Sequence, residues 1–293
     1  MNTLLFQNQR CIELNLASGD RALITLHGAQ VLSWQTSDGV ERLYLSPKAV
    51  FDGRSAIRGG IPICFPQFNQ RVLGDHPLPK HGFARSQAWS VLDASDASKS
   101  EAAQVALGLT DTALSPELRQ LWPYKFEAIL LVRLERNRLN VTFSVSNTDT
   151  LAWPFALALH TYLRVPDIAQ TILHGLKGIR YWDAVKDLKT PTARQLQATT
   201  ELGFASETDR VYLEAPALLG LRSTTTDLSI EQSTSFSETV VWNPGAALCA
   251  QLADMPPEAY KEMLCVEAAM IEQPTDLLPG ANWQGSQMLI VKS

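Results

Sequence analysis

Apolar residues occupy every second position along most of this chain, and this spacing restricts the possible folds more than any other feature. In the segment 139–145, Leu139, Val141, Phe143 and Val145 alternate with polar residues. The segments 12–16 and 105–109 show a similar alternation. Successive side chains of a β-strand point to opposite faces, so each segment is predicted to be a strand with one buried face and one wetter face.

The segment 125–135 has the same period, but its second face is also apolar. Ile129 and Leu131 lie on that face. Strands that are covered on both sides carry apolar residues on both faces. This segment is therefore predicted to be buried on both of its faces.

Turn signals recur between the strand-like segments, and helical patterns are scarce. Turns are indicated at 18–20, 38–39, 136–137, 147–149 and 243–245. One short helix is predicted over 115–122, where Ser115 suits the N-cap and Pro116 suits the first turn. A second helix is predicted over 256–263. Many short strands with frequent turns predict an all-β fold, a large antiparallel β-sandwich with few short helices.

The chain is predicted to form one domain over residues 1–293. All-β sandwiches and barrels often reach this size as single units. No internal repeat of 20 to 50 residues, low-complexity tract or Gly/Ser-rich linker divides the sequence. With 45% apolar and 19% charged residues, the composition supports a large core and is atypical of disorder.

Charge and cysteine usage restrict the partners and the compartment. The net charge is −5 and there is no block of Lys and Arg, which argues against a nucleic-acid partner. No stretch reaches the ~18 apolar residues of a membrane span, and the N-terminus lacks the pattern of a signal peptide. The four cysteines have no zinc-site spacing, which predicts buried free thiols. We expect a cytoplasmic monomer without a membrane partner. The cysteines are Cys11, Cys64, Cys249 and Cys265.

The stretch 57–89 concentrates basic residues, glycines and prolines in what is predicted to be one long ordered loop. It contains Arg58, Arg85 and the triplet Lys80-His81-Gly82, and Asp75 is its one acidic residue. Glycines let a backbone approach a ligand closely, and prolines stiffen the turns. Basic groups without matching acids favour an anionic or polyhydroxylated ligand. The alternative is a structured crossover loop between strands.

Ionisable residues interrupt apolar segments at two further places. His160 follows the apolar run 151–159, and Glu267 lies between two apolar triplets. Burial raises the pKa of a carboxyl group and makes it a competent general base or acid. The alternatives are a core histidine and a glutamate that faces solvent at a strand end. A third site, Asp209-Arg210, is by itself typical of a surface turn.

A histidine and a carboxylate on neighbouring strands form an acid/base pair. Such a pair suits chemistry in which one proton is removed and another is delivered, without a redox change. No GxSxG motif, P-loop, HExxH motif or GxGxxG motif after a strand supports a competing chemistry. We therefore expect no metal and no cofactor.

Six motifs give the chain a resemblance to the aldose 1-epimerase (galactose mutarotase-like) superfamily, and within it to the hexose-6-phosphate mutarotase branch. They are IRGGIPICFPQF (57–68), PKHGFARSQAW (79–89), LWPYKFE (121–127), LHTYL (159–163), TDRVY (208–212) and VE (266–267). The resemblance covers nearly the whole chain, and the first two motifs together are its specific part. It implies a β-supersandwich with an open cleft, no cofactor, and an isomerase that interconverts the α and β anomers of a sugar phosphate.

The resemblance also implies the two catalytic residues. Glu267 matches the family's general base, which takes the proton of the C1 hydroxyl. His160 matches the acid that protonates the ring oxygen, so that the ring opens and can reclose as the other anomer. One departure from the pattern is Ala268, where many relatives are expected to have proline, which puts the local loop in doubt but leaves the base assignment in place.

The remaining site residues that the resemblance implies bind the substrate. Arg58 and Arg85 match the basic groups expected at the phosphate, because a guanidinium fork suits its oxygens. His81 and Asp209 match positions that hold the sugar hydroxyls or orient the acid. Gln67 is a further candidate for a sugar contact.

Two alternatives remain open at this point. A neutral-sugar 1-epimerase would share the chemistry of His160 and Glu267 but would not need both arginines. A non-catalytic carbohydrate-binding sandwich would use aromatic side chains as sugar platforms. The candidates for such platforms are the seven tryptophans of the chain, which include Trp34, Trp89, Trp153 and Trp283.

Overall fold

The fold is described by a computed structural model that covers residues 2–70, 77–95, 101–186 and 194–292. Asp75, the one acidic residue of the 57–89 stretch, lies outside these residues. The strands in chain order are β1 (Asn2–Phe6), β2 (Gln9–Asn15), β3 (Arg21–Thr25), β4 (Val31–Gln35), β5 (Ile63–Cys64), β6 (Ser90–Ser95), β7 (Ala102–Thr110), β8 (Phe126–Glu135), β9 (Arg138–Asn147), β10 (Trp153–Leu159), β11 (Tyr162–Arg164), β12 (Ile172–His174), β13 (Arg180–Asp183), β14 (Gln195–Leu196), β15 (Glu201–Gly203), β16 (Thr208–Leu213), β17 (Leu218–Arg222), β18 (Asp227–Gln232), β19 (Glu238–Asn243), β20 (Met263–Leu277) and β21 (Asn282–Val291).

The strands form three antiparallel sheets. The first has the order β1-β2-β3-β4. The second has eight strands in the order β14-β13-β16-β19-β20-β10-β5, and β11 also pairs with β20. The third has nine strands in the order β15-β12-β17-β18-β21-β9-β8-β7-β6. The predicted all-β class, with long antiparallel sheets and few short helices, is confirmed.

Two α-helices lie in the described part of the chain, α1 (Pro116–Leu121) and α2 (Gly245–Cys249). The prediction over 115–122 is confirmed, because the Ser115 side chain accepts a hydrogen bond from the Leu118 N–H at the helix N-terminus. The segment 256–263 contains only the 3₁₀ helix Ala259–Glu262. Sequence reasoning missed α2. None of the helices in the described part is long and apolar enough to cross a membrane.

The core lies between the facing surfaces of the sheets. One buried cluster contains Ile24 of the first sheet, Val266 of the second and Leu130 of the third. The strand β8 contributes alternate side chains to it, whereas Ile129 on its other face is 37% exposed. The prediction that 125–135 is buried on both faces was therefore wrong. The apolar residues of its second face point to the outer surface of the sheet.

The stretch 57–89 is anchored in this core by its aromatic residues. The ring of Phe65 is fully buried and packs edge-on against Phe83 at a centroid distance of 6.0 Å. It also contacts rings from the large sheets, such as Phe143 at 5.3 Å and Phe155 at 5.8 Å. Interlocked aromatic rings stabilise a segment by burial and by their preferred geometry. The buried rings of Phe65 and Phe83 thus fix the stretch to the core.

Close backbone packing fixes the same stretch at two glycines. A Cβ on Gly60 would lie 2.1 Å from the carbonyl oxygen of Val31, and one on Gly82 would lie 2.0 Å from that of Phe65. Both glycines have positive φ angles, 62° and 73°. Any other residue would be both strained and too close to the neighbouring backbone. The two positions therefore require glycine.

The long strand β20 changes its pairing with β10 partway along. Leu157 pairs with Met270, whereas Phe155 pairs with Thr275. A step of two residues along β10, from 155 to 157, thus corresponds to a step of five residues along β20, from 275 to 270, which is a bulge-type irregularity. The half of β20 before Ile271 is buried on both faces, and most of the half after it is more exposed.

Candidate active site

Glu267 owes its position to the two-residue period of β20. Val266 and Ala268 point into the main core, so Glu267 points to the opposite face of the eight-stranded sheet. There it shares a face with Cys265, two residues earlier on the strand. On the next strand, Val240 of β19 pairs with Glu267. The carboxylate is only 1% exposed, so it is a buried charge-bearing group on a rigid central strand.

His160 follows directly after β10, beside the same part of β20. Its backbone N–H donates to the Pro62 carbonyl at 2.9 Å, which ties it to the 57–89 stretch. Its imidazole Nδ1 lies 3.3 Å from the Glu267 Oε1. The Tyr162 ring stacks on the imidazole, with 4.7 Å between centroids and 9° between planes. Sequence reasoning placed these two ionisable groups on neighbouring strands, and the structure brings them into contact range.

His160 and Glu267 do not form a hydrogen bond with each other. Although the two atoms are 3.3 Å apart, the geometry is not aligned, and neither His160 Nδ1 nor Glu267 Oε2 has a hydrogen-bond partner among the described residues. Buried polar atoms are nearly always paired, and exceptions concentrate at functional sites. The two unpaired atoms therefore mark a place where a ligand can supply the missing partners.

Burial shifts the pKa values of the two groups in opposite directions. The pKa of Glu267 is raised well above its ordinary value, first by desolvation and then by the charge of Asp209. The pKa of His160 is lowered well below its ordinary value, first by desolvation and then by Arg58 and Arg85. A buried carboxylate is thus a stronger base, and a buried imidazolium a stronger acid, than either is in water. Such a pair can exchange a proton with a bound substrate at both ends.

Arg58 lies close to this pair, and two of its three guanidinium nitrogens already have hydrogen-bond partners. Its Nε donates to Asp254 at 3.0 Å, and its Nη1 donates to the Tyr162 hydroxyl at 3.0 Å. The guanidinium is therefore connected to His160 through the stacked tyrosine. Asp254 is 196 residues away in sequence, so no local pattern could predict this ion pair. Arg58 keeps its other Nη group and is 24% exposed.

Arg85 and Lys80 provide further positive charge at the other end of the stretch. Arg85 lies in the 3₁₀ helix Ala84–Ser86 and donates to the Lys80 carbonyl at 2.7 Å. The pKa of Lys80 is lowered, first by lost hydration and then by repulsion from Arg85 and Arg58. Three cations therefore lie close enough to repel one another. Sequence reasoning noted Lys80 in the stretch but did not select it as a site residue.

His81 faces His160 across the site. Its backbone has a φ of 64°, and its Nδ1 accepts a hydrogen bond from the Asn69 N–H at 3.2 Å. The pKa of His81 is lowered well below its ordinary value by burial, then by Arg85 and His160. A neutral imidazole that accepts at Nδ1 carries its proton on Nε2. His81 is thus held as a hydrogen-bond donor, with its ring centroid 5.7 Å from that of His160.

Gln67 links Asn69 to the segment 78–79. Its Nε2 donates to the carbonyls of Leu78 and Pro79 at 3.1 and 2.9 Å and makes a longer contact with the Asn69 carbonyl. The side chain is 1% exposed, and its Oε1 is buried without a partner. These contacts connect the two ends of the loop that carries His81. They favour a supporting role over the sugar contact that the resemblance implied.

Asp209 adds a second carboxylate to the site. It lies on β16, opposite Trp242 of β19, and is half-buried. Burial and the neighbouring Glu207 raise the pKa of Asp209 to about 6. Its charge also raises the pKa of Glu267. Alone it was typical of a surface turn, but the sheet places it beside the acid/base pair.

The four tryptophans proposed as sugar platforms are part of the core. Trp34, Trp89 and Trp153 are at most 3% exposed, and Trp283 packs against the main core cluster. A platform needs an open ring face, so these four tryptophans do not support a non-catalytic binding module. A separate pocket of about 940 Å³ lies near Ile168 and Gly245, away from the candidate active site. None of the candidate site residues lines it.

All four cysteines are free and buried, as predicted. Two of them lie near the site. Burial raises the pKa of the Cys265 thiol well above its ordinary value, and the charge of Glu267 acts in the same direction. The pKa of the Cys64 thiol is also raised, first by burial.

Comparisons with known proteins agree with this geometry. The family model described as aldose 1-epimerase matches residues 10–289. A protein of Cenchrus ciliaris is 37% identical over 277 residues, covering 90% of this chain and 79% of its own length. A protein of Escherichia coli K12 is 34% identical over 250 residues, covering 85% and 79%. Both are named "Putative glucose-6-phosphate 1-epimerase".

A solved structure shows the same architecture. The crystal structure of the "putative mutarotase (YeaD)" of Salmonella typhimurium superposes with a TM-score of 0.87 at 27% identity, covering 99% of this chain and 93% of that one. The Slr1438 protein of Synechocystis shares the fold at 20% identity, with a TM-score of 0.81. Because the family model covers nearly the whole sequence, the chain belongs to the aldose 1-epimerase family.

Proposed function

We propose that this protein is a hexose-6-phosphate 1-epimerase, an isomerase that interconverts the α and β anomers of its substrate. The observation that carries the proposal is the buried His160–Glu267 pair, 3.3 Å apart, with Arg58, Arg85 and Lys80 beside it. The names of the relatives in Cenchrus ciliaris and Escherichia coli support the same substrate class. No cofactor is part of the proposal.

In the proposed reaction the pair acts on two oxygens of one carbon. Glu267 takes the proton of the C1 hydroxyl while His160 gives a proton to the ring oxygen, and the bond between C1 and the ring oxygen breaks. Rotation about C1–C2 presents the other face of the aldehyde. The same two groups then act in reverse, and the ring recloses as the other anomer. Because both oxygens are bonded to C1, an acid and a base close to each other match them.

One shared proton suffices for this cycle. Ring opening starts from the state with a proton on His160 and none on Glu267, and it ends with a neutral histidine and a protonated glutamate. In water a histidine is the weaker acid of the two by about two pKa units. Burial raises the pKa of Glu267 and lowers that of His160, so relative to water it favours the neutral histidine with the protonated glutamate over the ion pair.

The positions of the cations suit a phosphate at C6. The ring oxygen is bonded to C5, which carries C6 and its phosphate, so the phosphate extends from the side of the sugar that His160 protonates. Arg58 and Arg85 both act on His160 electrostatically, and Lys80 lies beside them. We assign Arg85 and Lys80 as the main phosphate ligands. Arg58 contributes its free Nη group and its charge, since its other donors are already bound.

The remaining predicted site residues keep roles in the proposal. His81 donates from Nε2 to a sugar hydroxyl, because its Nδ1 is occupied by Asn69. Asp209 accepts from a hydroxyl on the side of Glu267. Gln67 acts by holding the loop rather than by touching the sugar.

The sequence also predicts the domain number, oligomeric state, compartment and partners of the protein, and these predictions are compatible with this function. We propose that the chain works as a single-domain monomer in the cytoplasm, with a sugar phosphate as its partner and without a nucleic-acid or membrane partner. The net charge of −5 and the confinement of the basic cluster to one site support a small anionic ligand.

Anomerisation of fresh α-glucose 6-phosphate, followed by polarimetry or NMR with and without protein, tests the proposal. Fresh α-glucose under the same conditions is the control, because a neutral-sugar epimerase would act on it as well. We expect a large acceleration for the phosphorylated sugar and a small one for glucose. The engagement of Arg58 by Asp254 and Tyr162 is the one feature that favours the neutral-sugar alternative. Equal acceleration of both sugars would establish that alternative.

A further inference from the structure

The acid/base pair shares its pocket with a thiol that the proposed reaction does not use. Cys265 lies on the same face of β20 as Glu267, two residues before it, and pairs in register with Tyr162. One ligand atom from each of Cys265, Glu267 and His160 lies within 4.8 Å of the others. All three side chains are buried.

We infer that Cys265, His160 and Glu267 form an inhibitory binding site for a thiophilic divalent cation such as Zn²⁺. The inference concerns a ligand that stops the reaction and is separate from the chemistry of the reaction itself. It uses the same residues as the proposed function, so binding and activity must be measured independently.

The first support is the geometry of the three atoms. Zn²⁺ binds thiolate sulfur at about 2.3 Å and imidazole nitrogen at about 2.0–2.1 Å in tetrahedral sites. The Nδ1–Oε1 separation of 3.3 Å already fits two ligands of one ion. The sulfur must approach by no more than a small side-chain movement, because it lies within 4.8 Å of one ring nitrogen of His160 and one carboxylate oxygen of Glu267. A water molecule can complete the coordination.

The second support is that the ligand atoms lack partners. His160 Nδ1 and Glu267 Oε2 are buried without a hydrogen bond among the described residues. Their side chains are 10% and 1% exposed, and the open part of His160 gives an ion access to the pocket. Unpaired buried acceptors lose hydration without compensation, and a cation restores the missing interaction.

The donor set also selects the type of cation. Metal binding releases the proton of the Cys265 thiol to solvent, and the resulting thiolate, with an imidazole and a carboxylate, suits Zn²⁺, Co²⁺ or Cu²⁺, whereas Mg²⁺ and Ca²⁺ prefer oxygen ligands only. A bound ion occupies the carboxylate that serves as the base, so the protein cannot turn over while the ion is present. Three nearby cations oppose its entry, and the charges of Glu267 and Asp209 favour it.

Spectroscopy with Co²⁺ tests the site without reference to activity. Titration of the reduced protein with Co²⁺ is expected to give one equivalent of bound metal and a thiolate-to-cobalt charge-transfer band in the near ultraviolet. Cys265→Ser and Cys265→Ala are expected to lose the band and to weaken binding roughly tenfold or more, which corresponds to at least about 1.4 kcal/mol. Cys64→Ser is the matched control, because Cys64 is an equally buried thiol on the same sheet but outside the ligand set.

Zn²⁺ is then added to the anomerisation assay, with EDTA to reverse it and Mg²⁺ as the negative control. We expect inhibition of wild type and Cys64→Ser, and at least roughly tenfold weaker inhibition of both Cys265 variants, in line with their lost affinity. Absence of the band in wild type, or its retention in Cys265→Ala, overturns the inference. A protein that shows the band but no anomerase activity keeps the metal site and loses the proposed function instead.

Discussion

Replacing Arg85 by alanine tests whether the basic residues of the 57–89 stretch bind a phosphate. Arg85 is only partly buried, and its one side-chain hydrogen bond that the structure gives goes to the Lys80 carbonyl. Unlike Arg58, which pairs with Asp254, it forms no salt bridge with a carboxylate among the described residues. Its loss should therefore affect ligand binding more than folding.

The expected magnitude follows from the type of contact. A hydrogen bond to a charged group contributes about 1.5–3 kcal/mol in net terms, and partial exposure places this one in the lower half of that range. At about 1.4 kcal/mol for each factor of ten, KM for glucose 6-phosphate should rise roughly 10- to 30-fold. The change in kcat should be smaller, because the phosphate is held about equally in the ground state and the transition state.

Steady-state anomerisation of glucose 6-phosphate and glucose provides the assay. Arg54→Ala is the matched control, because Arg54 is an exposed arginine in the same part of the chain and lies outside the site. Sulfate should compete with glucose 6-phosphate in wild type and much less in Arg85→Ala. If Arg85→Ala raised KM for glucose by the same factor, Arg85 would not be a phosphate ligand and the reasoning would be refuted.

Three further changes test other parts of the site. Glu267→Gln keeps the shape of the side chain but removes the base, so kcat should fall at least ~100-fold with the fold intact by circular dichroism; retention of a tenth of wild-type turnover would count against the assignment. Tyr162→Phe keeps the ring stacked on His160 but removes the acceptor for Arg58, so kcat should fall less than in Tyr162→Ala, and the pH profile should shift only modestly; equal losses in both variants would argue against a positioning role for the ring. Asp209 has a pKa raised to about 6, so the folded state binds its proton more tightly than the unfolded chain does, and its contribution to stability is present below about pH 4 and lost as the pH rises through 6. Asp209→Asn should therefore gain in melting temperature relative to wild type between pH 4 and 7, and an unchanged difference across that range would contradict the raised pKa.

Local patterns predicted the parts of this structure that depend on local rules. The alternation at 139–145 became β9, and Ser115 caps α1, because strand period and capping are properties of neighbouring residues. The prediction for β8 was wrong at Ile129, because an apolar residue on a strand does not reveal whether another layer covers it. The helix α2 was not predicted, because its five residues show neither an N-capping side chain nor a helical period of apolar residues.

The candidate site divides in the same way. His160 and Glu267 could be found because ionisable residues in apolar segments are costly and therefore conspicuous. The role of Arg58 could not be found, because its partner Asp254 becomes a neighbour only through the folded sheets. Lys80 was overlooked for a related reason, since a lysine in a loop has no pattern that indicates which way it points.

The irregular pairing of β10 with β20 makes the protein unequally sensitive to changes in chain length. An inserted residue between Met263 and Glu267 would exchange the two faces of the strand, moving a core valine into the pocket and the carboxylate into the core. Beyond Ile271 the register already accommodates unmatched residues, so an extra one there leaves the carboxylate facing the pocket. We therefore expect the distal part of β20 to tolerate insertions and deletions, and the proximal part to tolerate substitutions only.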